Sequence, residues 1–194
     1  MHIPKKGIRA LGIAESYTGR NTDGAHSTIC GVVMRKDLRI DGIAFGKATV
    51  GGMDATDVVL TIFRGLRRQD INFLMLSGCV IAWFNVIDPE RLHDETGLPV
   101  IGVTYEDSAG LEEDILHHFP DDQARLTAYR RLGERRPLAL PTGYQAFIRS
   151  WGIGKTDAGV LCSAFTREGK IPEPLRVARL CARAGSAFRD CGRK

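Results

Sequence analysis

The sequence predicts an α/β fold: a mixed sheet with helices on its faces. Three observations carry this expectation. Short apolar runs come first, and two of them, Ile29–Met34 and Leu38–Phe45, are separated only by the polar turn Arg35-Lys36-Asp37. So short a link joins antiparallel neighbours. Near residue 54 the apolar period changes from two to that of a helix. Nearly all-apolar strands then follow at Asn72–Leu76 and Leu98–Thr104, as in the middle of a parallel sheet. Hairpins first and right-handed crossovers second build a mixed sheet between helical layers.

Ile8–Ala14 is an apolar run bounded by Gly7 and the loop Ser16–Ser27, where Gly19, Asn21, Asp23, Gly24 and His26 are dense turn signals. It reads as a buried strand, followed by the two hairpin strands. Asp54 or Thr56 caps a helix with Val58, Val59, Ile62, Phe63 and Leu66 on one face. Arg64, Arg67 and Arg68 lie near its carboxyl end, where the helix dipole favours cations. Between the two apolar strands lies a turn-rich segment with a short helical stretch, Asp88–Glu95. Leu111–His118 and Asp122–Leu132 read as helices, Gln145–Trp151 as an edge strand, and a further helix starts near Thr156. The last helix follows Ile171-Pro172-Glu173-Pro174, since proline suits a first turn. Its expected buried stripe is Val177, Cys181, Ala184 and Phe188. This is the element order of ribonuclease-H-like folds. With no repeat and no long linker, residues 1–194 read as a single domain.

The bulk numbers set limits. A chain of 194 residues buries a core without staples. A net charge of +4 is too small to argue for a partner by itself. Its distribution is more informative: Arg125–Arg136 and Arg176–Lys194 are arginine-rich, and Glu106–Asp122 is acidic. Cys30, Cys79, Cys162, Cys181 and Cys191 are odd in number and lack Cys-x-x-Cys spacing, so they suggest neither a disulfide framework nor a zinc site. They indicate a reducing, cytoplasmic setting. The polar N-terminus is no signal peptide, and apolar runs such as Phe73–Phe84 are too short to span a bilayer.

Four segments carry the chemistry: Leu11-Gly12-Ile13-Ala14-Glu15, Asp54-Ala55-Thr56-Asp57, the stretch from Gly78 to Asp88 with Phe84-Asn85-Val86-Ile87-Asp88 at its end, and Ile171-Pro172-Glu173-Pro174-Leu175-Arg176-Val177-Ala178. In order and spacing, over nearly the whole chain, they resemble the endonuclease dU family, a relative of endonuclease V. The resemblance implies an endonuclease V-like, ribonuclease-H-like fold and cleavage of DNA near deoxyuridine. It also implies a divalent metal, Mg2+ or Mn2+, and a nucleic-acid partner, DNA in the first instance. Two positions depart from the family pattern. The first strand reads Gly12-Ile13-Ala14-Glu15 where the family has Gly-Ile-Asp-Asp, and Ser77 stands where the central strand ends in aspartate before a glycine. Adjacent strand side chains point to opposite faces, so Glu15 replaces the second aspartate and not the first. Hard cations need oxygen ligands, mainly carboxylates, and the charge here is depleted.

Glu15, Ser77 and Asp54 are the candidate catalytic residues. Glu15, Asp54, Glu106 and Asp107 are the candidate metal ligands. Asp54 and Asp57 also suit a helix start, and the glycine-rich run before them offers backbone amides to a phosphate. Trp83 and Phe84, just past the central strand, are placed to stack on a base or to pack a loop, and Asn85 has donors and acceptors for recognition. Arg176, Arg179 and Arg183 recur at helical spacing and share a face that suits phosphates or solvent. Tyr105 stands where endonuclease V has a lysine. The leading functional reading is a metal-dependent DNA endonuclease acting at deaminated bases such as deoxyuridine. The rival is a catalytically silent nucleic-acid-binding protein, with a nucleotide enzyme as a third reading.

Overall fold

The computed structural model describes residues 7–17 and 25–191, with side chains to residue 188 of the final helix. The turn residues Gly19, Asn21, Asp23 and Gly24, the Arg189 side chain, Arg193 and Lys194 lie outside the described residues. Three strands open the fold, β1 (Arg9–Glu15), β2 (His26–Arg35) and β3 (Ile40–Thr49), followed by α1 (Ala55–Gly65) and β4 (Phe73–Ser77). A small hairpin, β5 (Val80–Ile81) and β6 (Asn85–Val86), precedes α2 (Pro89–Thr96) and β7 (Val100–Thr104). Then come α3 (Glu112–His118), α4 (Gln123–Arg131), β8 (Arg136–Ala139), β9 (Gln145–Trp151), α5 (Lys155–Ala164) and α6 (Glu173–Cys191).

The main sheet runs β3-β2-β1-β4-β7-β9-β8. The opening strands pair antiparallel, β1, β4 and β7 run parallel, and β9 and β8 are antiparallel again. This is the mixed, ribonuclease-H-like sheet that the sequence predicts. Alternation along each strand feeds two core layers. Leu11, Ile13, Val33, Leu74 and Leu76 pack with Val59, Ile62 and Leu92 of α1 and α2. On the other face Phe73, Met75, Ile101 and Val103 pack with Leu161, Cys162 and Phe165 of α5, where Phe73 and Phe165 meet edge to face at 5.5 Å. Ala14, Cys30, Val32 and Met34 lie under Ala178 and Ala182 of α6. No helix among the described residues is long and apolar enough to cross a membrane.

Two expectations need correcting, and one segment takes a path that the sequence did not specify. Gln145–Trp151 is not the edge strand: β9 lies between β7 and β8, and β8 is the edge. Pro137 obscured β8 in the sequence, and an edge is where a strand tolerates a residue without an N–H. The buried stripe of α6 is also rotated. Leu175, Ala178 and Ala182 are buried, Val177 and Cys181 are half-buried, and Ala184 and Phe188 are exposed. The helix seats so closely that a Cβ on Gly12 would lie 2.6 Å from the Pro174 backbone, and at that distance small side chains displace large ones. Finally, the segment after Gly78 is a hairpin whose turn residues Ala82, Trp83 and Phe84 have φ of 43°, 60° and 60°. Each left-handed non-glycine residue costs about 1–2 kcal/mol, so this turn is held from outside.

Candidate active-site cleft

The parallel register Ile13↔Leu76 puts Ala14 and Ser77 one step further along neighbouring strands, at the carboxyl edge of the sheet. Parallel sheets gather binding groups at this edge. Ala14 faces α6, and Glu15, next in the strand, faces the other way. The Glu15 carboxylate accepts hydrogen bonds from the Ala82 N–H (2.9 Å) and from Ser27 Oγ (2.9 Å). Burial raises the Glu15 carboxyl above its ordinary range and outweighs those bonds and the nearby Arg179 charge.

On the other side of the edge, Arg179 of α6 donates to Ser77 Oγ (3.2 Å), and the Tyr105 hydroxyl lies 3.4 Å from the same oxygen. The Arg179 guanidinium sits over the Tyr105 ring, 5.6 Å from its centre. Burial pushes the Tyr105 phenol up to about 12, so it stays protonated. Burial likewise pushes Cys79 and Cys162 up to about 12, which leaves them as thiols and not nucleophiles.

Asp54 sits at the other end of the hairpin. It accepts from the Thr49 N–H, from Thr49 Oγ1 (2.8 Å) and from Asn85 Nδ2 (2.7 Å). Burial acts to raise its carboxyl, but the Thr49 and Asn85 bonds together hold it below the ordinary range. Asn85 is fully buried: its oxygen accepts from the Ala55 N–H at the start of α1, and its nitrogen also donates to Thr49 O. Its amide is consumed in holding α1 to the hairpin. The Gly51 and Gly52 amides donate to Ala82 O (2.8 Å) and Thr49 O (3.0 Å), so they are not presented to a phosphate. Asp88 caps α2 through the Arg91 N–H, and Asp57 pairs with Arg91.

Glu106 and Asp107 are largely exposed. Glu106 pairs with Lys170, and Asp107 lies 3.9 Å from Arg135. Trp83 and Phe84 are half-buried and pack edge-on to each other at 5.1 Å, with His118 4.7 Å from Trp83 and Phe119 6.0 Å from Phe84. Arg176, Arg179 and Arg183 do not act as one stripe: Arg176 is paired with Glu173, Arg179 enters the cleft and Arg183 is exposed.

Two positions that shape the cleft escaped sequence reasoning. Arg125 is buried and donates to Gly51 O (2.8 Å), Gly52 O (3.0 Å) and Phe84 O, which fixes the hairpin from α4. Arg149 lines a cavity of about 470 Å³ with Ser77, Tyr105, Tyr129, Arg135 and Arg179. An arginine inside the apolar strand Ala-Phe-Ile-Arg-Ser-Trp was the available signal for it.

A divalent metal is tested by its donors. Among the described residues no three His, Cys, Asp or Glu side chains converge. Glu15 is the carboxylate at the cleft edge, Asp54 is already saturated, and Ser77 is held by a guanidinium. This set does not fit a two-ion site, which needs several converging carboxylates.

The fold is that of the endonuclease V class of nucleases. An endonuclease V of Ciona intestinalis, solved with a 24mer DNA containing an inosine followed by a ribo-adenosine, superposes with a TM-score of 0.63 at 15% identity over 94% of this chain and 87% of that one. A protein of unknown function from Archaeoglobus fulgidus DSM 4304 superposes with a TM-score of 0.76 at 26% identity, covering 91% of this chain and 97% of its own. In sequence, a UPF0215 protein of Pyrobaculum calidifontis is 40% identical over 173 residues, 89% of this chain and 93% of the relative. The profile of the family described as Endonuclease dU matches residues 6–186. The chain belongs to the endonuclease dU family, as its four segments imply.

Proposed function

We propose that this chain binds nucleic acid, DNA in the first instance, in the cleft at the carboxyl ends of β1, β4 and β7, and that it does not carry the two-metal cleavage chemistry. The observation that carries this reading is the Arg179–Ser77 bond: a fixed positive charge stands where a metal-binding nuclease needs an acid. An arginine there meets phosphate oxygens directly and needs no cation between. Glu15 is half-buried and its carboxylate is held by Ala82 and Ser27. DNA is favoured because the Ciona endonuclease V of the same fold was solved with DNA.

A second reading, metal-dependent cleavage at deaminated bases such as deoxyuridine with Mg2+ or Mn2+ on Glu15, is favoured by membership of the endonuclease dU family. One set of measurements separates the two. Anisotropy of a labelled uracil-containing oligonucleotide, with EDTA and with Mg2+, reads binding. Gel electrophoresis of the same samples reads cleavage, and calorimetry reads the metal. Binding that survives EDTA, weakens steeply with salt and leaves the strand intact is the expected result. Brisk cleavage with Mg2+ that disappears in Glu15→Ala would overturn it in favour of the metal enzyme.

A further inference from the structure

The cavity beside Ser77 has more positive charge than anything within it neutralises. Arg149 and Arg179 line it, and among the described residues neither makes an ion pair. Arg149 spends one N–H on Gly133 O (2.8 Å). Arg135, also lining it, donates to the carbonyls of Glu106 and Ser108, and its nearest carboxylate, on exposed Asp107, is 3.9 Å away. Glu106 reaches the rim, but its carboxylate is taken by Lys170. Arg149 is half-buried, and burial acts to lower its guanidinium. A half-buried guanidinium without an acid is expensive unless an anion completes the site.

Two hydroxyls add donors. Tyr129 Oη accepts from the Leu111 N–H (2.8 Å), which leaves its own proton to give. Ser77 Oγ accepts from Arg179 in the same way. A cavity of about 470 Å³ is the size of a small-ligand pocket and admits a single nucleotide, not a duplex. A flipped neutral base would fill the space yet leave the guanidiniums unpaired.

We infer that this pocket takes the phosphorylated end of a nucleic-acid strand, with the terminal phosphomonoester met by Arg149, Arg135 and Arg179. This rests on the nucleic-acid-binding reading and adds that the chain reads strand ends. The shared chemistry, a phosphomonoester on a nucleoside, is also found in free nucleotides, so the test includes them.

The test is fluorescence anisotropy in EDTA with single-stranded DNA labelled at one end and carrying a 5′-phosphate, a 3′-phosphate or a hydroxyl at the other. One phosphorylated end should bind about tenfold tighter than the hydroxyl end, the scale of a paired buried charge. Arg149→Gln should erase that difference while hydroxyl-ended DNA still binds. Competition with a nucleoside 5′-monophosphate reports the source: weaker competition than by phosphorylated DNA supports a strand end, and equal competition overturns that part. Equal affinity for phosphorylated and hydroxyl ends in the unmodified chain sinks the inference and leaves the proposed function standing. No affinity for any oligonucleotide sinks the proposed function. If a Gln variant melts early, the comparison of ends on the unmodified chain decides alone.

Discussion

Replacing Arg125 by methionine keeps an unbranched apolar stem and removes the guanidinium with its donors. The side chain is 4% exposed, so solvent does not replace the guanidinium in place. Three carbonyls lose a charged donor: Gly51 O, Gly52 O and Phe84 O. Those residues are half-buried, water recovers part of each bond, and the lasting loss is about 1 kcal/mol apiece. The stacking of the guanidinium on Phe119, 3.9 Å from the ring centre, contributes about 1 kcal/mol more. The Asp122 cap survives because it holds the Arg125 backbone N–H. A total near 4 kcal/mol corresponds to a fall in melting temperature of about 10 °C for a chain of this size. Arg125→Lys keeps the charge but replaces a planar fork with one ammonium, and should fall between. Calorimetric or circular-dichroism melts of the three chains give the answer. A fall below about 4 °C for Arg125→Met would show that the hairpin stands without α4, and the reasoning would be wrong.

Glu15 and Gly12 give two further tests. Burial holds the Glu15 carboxyl above its ordinary 4.5, so the folded chain binds that proton more tightly than the unfolded one. Stability from this group is therefore full below about pH 4.5 and is lost as pH rises through the raised value. Glu15→Gln keeps an acceptor for Ala82 and Ser27 but does not titrate, so it should melt above the unmodified chain at pH 7, with the gap closing towards pH 4. A gap that ignores pH would refute the assignment. Gly12→Ala puts a Cβ 2.6 Å from the Pro174 backbone, which cannot rotate aside. Urea titration should show a loss of about 3 kcal/mol, and DNA binding should weaken because α6 carries Arg179. A loss under about 1 kcal/mol would mean that α6 slides freely on β1.

The strands and the sides of the cleft were legible because alternation is a local rule. It placed Ala14 and Glu15 on opposite faces, and the structure separates them in that way, towards α6 and towards Ala82. What was hidden depends on partners distant in sequence. The turn Ala82-Trp83-Phe84 has no glycine or asparagine to announce a left-handed path, and its support comes from Gly51 and Arg125. Arg125 itself lies in an arginine-rich run that reads as surface, and only the three carbonyls around it explain its burial. Asn85 looked like a recognition residue because its amide is versatile, and that versatility is spent on Ala55, Thr49 and Asp54. The arginine pocket joins β7, α4, β9 and α6, a conjunction that no window of sequence contains.

The two borders of the sheet are unlike in a way that bears on how the chain behaves in company. At β8 the ladder stops at a four-residue strand with a proline in it, so no further strand can dock in register there. At β3 the border is ten residues long, with Ile40, Ile43 and Phe45 turned outward and only Asp41 and Lys47 as charged deterrents. Self-association on heating should therefore start from β3. A single lysine at position 43 or 45 is where colloidal stability is most cheaply improved, and changes along β8 should leave it untouched.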